Sequence, residues 1–97
     1  MNITDKIEYM KKRQVNVVFG FSKYFNSEDE LLKTDTEIFK RAQELKNKIK
    51  QMNPKLRKAF AFYISVSQLE IISYKTLRKI VSMADTIIIP DYEEVKE

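Results

Sequence analysis

Apolar residues recur along this chain in two rhythms, every second position in one stretch and every third or fourth in several others. Val15, Val17, Phe19 and Phe21 alternate with Asn16, Val18, Gly20 and Ser22, the period of a strand with one buried face. Its β-branched and aromatic residues suit a pleated surface, and Tyr24 and Phe25 extend the aromatic patch. Leu31, Ile38, Ala42, Leu45, Ile49 and Met52 then fall at helical spacing. Ser27 and Glu30 stand in the relation of a capping box, where each side chain satisfies an amide of the first turn. A helix is therefore expected over 28–52. A hitch is expected at 34–36, where Asp35 takes an apolar position and Thr34 with Glu37 offers a second cap. At the start, Ile3, Ile7 and Met10 predict a short helix or a loose arm within residues 1–13.

Asn53-Pro54 is the clearest punctuation in the chain. Asn caps helices well, and proline fits a first helical turn because its missing N–H is not needed there. The segment after it reads two ways. Leu56, Ala59, Phe60, Tyr63 and Val66 fit a helix, while "AFAFYISV" alternates like a strand; the proline cap favours the helix. Ser73 caps a further helix, "YKTLRKIVSMA", with Leu77, Ile80, Val81 and Ala84 as its apolar stripe. Asp85 ends that helix, "TIIIP" makes a short apolar strand, and residues 91–97 form an acidic tail expected to be dispensable for folding. The expected fold is α+β and mainly helical, a single domain over 1–97. Three main helices would carry a small two-stranded sheet joining 15–21 to 86–89, because neither strand is stable alone. Val17, Phe19, Phe21, Leu31, Ile38, Leu45, Ile49, Phe60, Leu77, Ile80 and Ile88 are the expected interior.

Charge adds a second pattern. The net charge of +4 is modest, but residues 28–37 sum to −4, residues 40–58 to +7, and the last thirteen residues to −4. Residues 71–84 add Lys75, Arg78 and Lys79 with no acid. Segregation of this kind gives a basic surface that attracts polyanions at long range. Lys-rich helix backs are also ordinary solvated faces.

Composition narrows the chemistry. With no His and no Cys, the commonest general base and the best nucleophile are absent, along with disulfides and the usual structural zinc ligands. One glycine does not make a phosphate-cradling loop. No enzyme activity, cofactor or metal is expected. No apolar run approaches the ~18 residues of a membrane span, and "MNITDKIEYMKKRQ" lacks a signal-peptide apolar core. A cytoplasmic protein is the expectation.

From Val66 onward the order of elements carries a resemblance. Val66 and Ser67 fill an apolar and a small position, Ile72 an apolar one after a turn, and Leu77 and Ile80 hold a second helix down. Residues 54–90 in this respect resemble the helix-turn-helix family of DNA-binding domains and its winged variants. Glu70 and Ile71 depart from the pattern, which usually has an apolar residue and a glycine there. The resemblance implies duplex DNA as partner and a helix offering Tyr74, Lys75, Arg78, Lys79 and Ser82 to a groove. Lys55, Arg57 and Lys58, with Arg41 and Lys48, extend that footprint or are solvated. A homodimer is expected, because one module of this size reads few bases. Such a protein would act as a regulator or accessory factor of a bacterial mobile element, which the Lys-, Ile- and Asn-rich composition suits. The alternative is a protein-binding module, an inhibitor, adaptor or immunity-type factor docking through its aromatic face.

Overall fold

The structure is a computed structural model that describes residues 3–20, 31–55 and 60–92. Helix α1 (Ile3–Lys12) buries Ile7 and Met10 on the face their spacing sets. It stops at Gln14, whose φ of 63° is left-handed. Two bonds close the end: the Gln14 amide donates to the Lys11 carbonyl at 3.0 Å, and the Val15 amide to the Met10 carbonyl at 3.3 Å. This pair is the usual way a left-handed residue terminates a helix. It turns the chain into strand β1 (Asn16–Phe19) and places Val15 in the core.

Helix α2 (Asp35–Met52) begins later than residue 28. It starts at the expected hitch, with Thr34 as its cap. The Thr34 hydroxyl accepts the Glu37 amide at 3.1 Å and donates to the Glu37 carboxylate at 2.8 Å. Leu31 lies ahead of the helix and is 70% exposed, which corrects its place in the expected interior. The Ser27–Glu30 box and Phe21 fall outside the described residues.

The segment after Pro54 corrects the helix reading. Asn53 closes α2, and its Oδ1 accepts the Lys55 amide at 3.2 Å. A helix cap would make the same local bond, so Asn-Pro marks a turn here without committing the next element to a helix. Strand β2 (Phe60–Tyr63) comes next. Ala61 is exposed while Phe62 and Ile64 are buried, so the period of two prevails.

Helix α3 (Val66–Ile71) carries a full capping box, with Ser65 and Gln68 bonding each other's amides. Helix α4 (Tyr74–Met83) comes after Ile72 and Ser73 and runs directly into strand β3 (Ala84–Ile89). The strand order is β1-β3-β2 with both pairings parallel. The described residues therefore hold four helices and a three-stranded sheet rather than three helices and two strands. The 15–21 and 86–89 segments do pair, in the register Val17↔Ile87 and Phe19↔Ile89. An antiparallel wing after α4 has no counterpart among the described residues, because β3 is the central strand. The apolar run Ile87-Ile88-Ile89 within β3 suits a parallel strand with neighbours on both sides, while Asp85 near its start is exposed.

Register decides which isoleucines face the helices. Val17, Phe62 and Ile87 share one face, with Phe19 and Ile89 beyond them. Ile87 and Ile89 are fully buried, whereas Ile88 on the other face is half-buried, a correction of one residue in phase. Val17, Phe19, Leu45 and Ile49 are half-buried against the core, and Ile38, Leu77 and Ile80 are fully inside.

Two charged side chains fasten the α3–α4 corner. Lys6 is fully buried, and its Nζ donates to the carbonyls of Leu69, Glu70 and Ile72 at 2.5, 3.1 and 2.6 Å. Carbonyls at a helix end lack partners within the helix, so an α1 lysine closes α3. Asp35 does the converse for α4, accepting the Ser73 amide at 2.7 Å. The tail is tied where it starts. Asp91 Oδ1 accepts the Val66 amide at 2.8 Å, and the Tyr92 ring lies 5.0 Å from that of Phe19.

Candidate nucleic-acid interface

Helix α4 is positioned from both ends. Ser73 caps its first turn, accepting the Thr76 amide at 3.2 Å. Its phase sends Thr76, Leu77, Ile80, Val81 and Met83 inward. Lys75, Arg78, Lys79 and Ser82 are left as an exposed stripe, with half-buried Tyr74 at its border. Glu70 and Ile71, the two departures from the helix-turn-helix pattern, are both exposed, so neither position is asked to pack.

Helix α1 lies beside this stripe. The Tyr9 and Tyr74 rings meet edge to face with centroids 5.3 Å apart. The Arg13 guanidinium sits 5.0 Å over the Tyr9 ring, a placement in which the ring quadrupole attracts the cation. Tyr9, Arg13, Tyr74, Lys75 and Arg78 together line a shallow groove of about 520 Å³. Three cations converge there without an acid in the lining, and Arg13, Lys75 and Arg78 are all exposed.

Not every expected contact residue joins the groove. Lys79 extends over the Phe39 ring of α2, 5.0 Å from its centroid. The Ser82 hydroxyl donates to the Lys79 carbonyl at 2.6 Å. Lys55 is exposed in the turn after α2, apart from the groove lining. Arg57 and Lys58 fall outside the described residues. Lys48 is exposed on α2. Arg41 approaches Glu44 at 3.8 Å, and with Leu32, Glu37 and Lys40 this pair lines a second groove of about 230 Å³. Two acids balance two bases there, so that surface does not concentrate positive charge.

Sequence reasoning missed Tyr9 and Arg13. The run Lys11-Lys12-Arg13 was a visible signal, but nothing local places it next to residue 75. Lys6 and Asp35 stay out of the groove and hold its frame. Burial lowers the Lys6 pKa, an effect that nearby Asp35 and Glu70 partly offset. For Asp35, burial pushes the pKa up. The Thr76 hydroxyl, the Ser73 amide and hydroxyl, and Lys6 outweigh it, and the carboxyl sits below its ordinary value. The described residues contain no group of three His, Cys, Asp or Glu side chains placed to hold a metal ion. No helix among them is long and apolar enough to cross a membrane. Comparison with protein-family models, with curated proteins and with solved structures finds no match to this chain.

Proposed function

We propose that this protein binds nucleic acid through the groove between α1 and α4, as a small DNA-binding regulator or accessory factor. The observation that carries the proposal is the convergence of Arg13, Lys75 and Arg78 from two helices on one concave surface with two tyrosines and no acid. Phosphate contacts from Arg and Lys supply most of the affinity of such proteins, and aromatic rings beside them accept bases. The Arg side chains add planar forks of donors that match phosphate oxygens two at a time. Three cations engage few phosphates, which is the reason to expect that two copies act together.

The test is a titration of fluorescent duplex and single-stranded DNA at several salt concentrations. Affinity should fall with salt, with a slope of log affinity against log salt of about −2.7 on duplex if all three cations hold phosphates, at ~0.9 for each. The triple Arg13→Ala, Lys75→Ala, Arg78→Ala variant should stay folded, because all three side chains are exposed and the Arg13 contact with Tyr9 is worth only about 0.5–1 kcal/mol. It should lose most of the binding. An unchanged affinity in that folded variant removes the groove from the account.

A further inference from the structure

We infer that the α1–α4 groove takes single-stranded nucleic acid in preference to a duplex. This rests on the nucleic-acid reading above and specifies its partner. The ground is the setting of α4 among its neighbours. A helix that reads duplex DNA must enter a major groove about 12 Å wide, and a helix with its side chains is itself about 10–12 Å across. Such a helix has to stand clear of the elements beside it.

Helix α4 is hemmed on both borders of its exposed stripe. On one border Tyr74 meets Tyr9 of α1, ring to ring at 5.3 Å. On the other Lys79 lies over Phe39 of α2 at 5.0 Å. Residues 74 and 79 stand about 140° apart around the helix axis at 3.6 residues per turn, so the two neighbours flank the stripe rather than share one side. A duplex laid on the stripe would therefore meet side chains of α1 and α2 as well as those of α4. The Ser82 hydroxyl, a group suited to reading bases, already donates its proton to the Lys79 carbonyl.

A single strand fits what the surface does offer. Its one phosphodiester chain can track along the groove, with Arg13 supplied by α1 and Lys75 and Arg78 by α4. Its unpaired bases can lie against the tyrosine edges or on the Arg13 guanidinium plane, which is already ordered over Tyr9. A basic groove combined with ring surfaces is the general arrangement for single strands, and it tolerates sequence because every base has a π-face. A duplex keeps its bases stacked inside and presents only its outer backbone.

The experiment titrates the full chain against labelled oligo-dT, oligo-U and a mixed-sequence duplex of equal length, about 15 nucleotides to span one site, at the same series of salt concentrations for each. Single strands should bind at least ~10-fold tighter than the duplex, and oligo-dU, which differs from oligo-U only in its sugar, gives the preferred sugar. Arg13→Ala and Arg78→Ala should each reduce the single-strand salt slope by ~0.7 while the protein stays folded. Duplex affinity equal to or above that for both homopolymers overturns the single-strand inference and leaves the nucleic-acid reading standing. Binding to none of the three, even at low salt, overturns both.

Discussion

The Asp35 carboxylate accepts the Thr76 hydroxyl at 2.6 Å, across 41 residues of sequence, and so joins the first turn of α2 to the first turn of α4. Its other oxygen takes the Ser73 amide. A negative charge at a helix N-terminus complements the exposed amides and the helix dipole. Asp35→Ala should therefore lower stability by about 2 kcal/mol, the range for hydrogen bonds to charged groups. Thermal and urea unfolding measure it, and a loss under half a kilocalorie would show that the corner holds without this carboxylate.

The same contact has a pH signature. Because the Asp35 pKa is lowered in the folded protein, the unfolded chain binds more protons between the two pKa values. Stability then declines as pH falls through that window, starting near the ordinary Asp value of about 4. Above it the contribution is fully present. Asp35→Asn should flatten this part of the stability–pH curve, and an unaltered curve would count against the contact.

Lys6 offers a second test of the corner. Lys6→Met keeps an unbranched apolar stem, one atom shorter, but leaves the Leu69, Glu70 and Ile72 carbonyls without their donor. The expected cost is about 3 kcal/mol, since buried acceptors stripped of partners carry their full desolvation penalty. Lys6→Arg should recover little, because a bulkier planar guanidinium must replace a compact ammonium that three carbonyls already surround. Denaturant midpoints of the two variants decide this.

Packing predicts a contrast between two leucines. Leu77→Ala should cost ~2–5 kcal/mol, as the side chain is fully buried on the inner stripe of α4. Leu31→Ala at a largely exposed position should stay within about half a kilocalorie. Comparable losses at both sites would contradict the placement of α2.

Asp91 and Tyr92, at the start of the acidic tail, contact Val66 and Phe19, so these two residues are predicted to support the fold. Asp91→Ala should cost about 1 kcal/mol, because it removes a carboxylate from the Val66 amide at the start of α3. Tyr92→Ala should add to that through its contact with Phe19. A melting temperature unchanged by the double substitution would restore the view that nothing past Pro90 supports the fold.

Several features were legible from local sequence because their causes are local. The Ser73 cap and the inner stripe of α4 arise from residues within a few positions of one another, as does the Thr34–Glu37 cap of α2. The pairing of the 15–21 segment with the 86–89 run was legible too, because two apolar strands must find partners. Tertiary structure decided the rest. The run Ile87-Ile88-Ile89 is uniformly apolar and carries no phase of its own. Only its parallel register with Val17 and Phe62 sends Ile87 inward. The "AFAFY" segment supports either period locally, and pairing with β3 selects the strand. Asp35 stood at an apolar position of its helix pattern and Lys6 carried no local signal, yet their partners lie at residues 69–76. The groove arises the same way. Lys75 and Arg78 share a face by helical spacing alone, but Tyr9 and Arg13 join them only because buried Ile7 and Met10 dock α1 into the core. Spacing within one element is written in the chain, whereas contacts between elements depend on how all the apolar faces are buried at once.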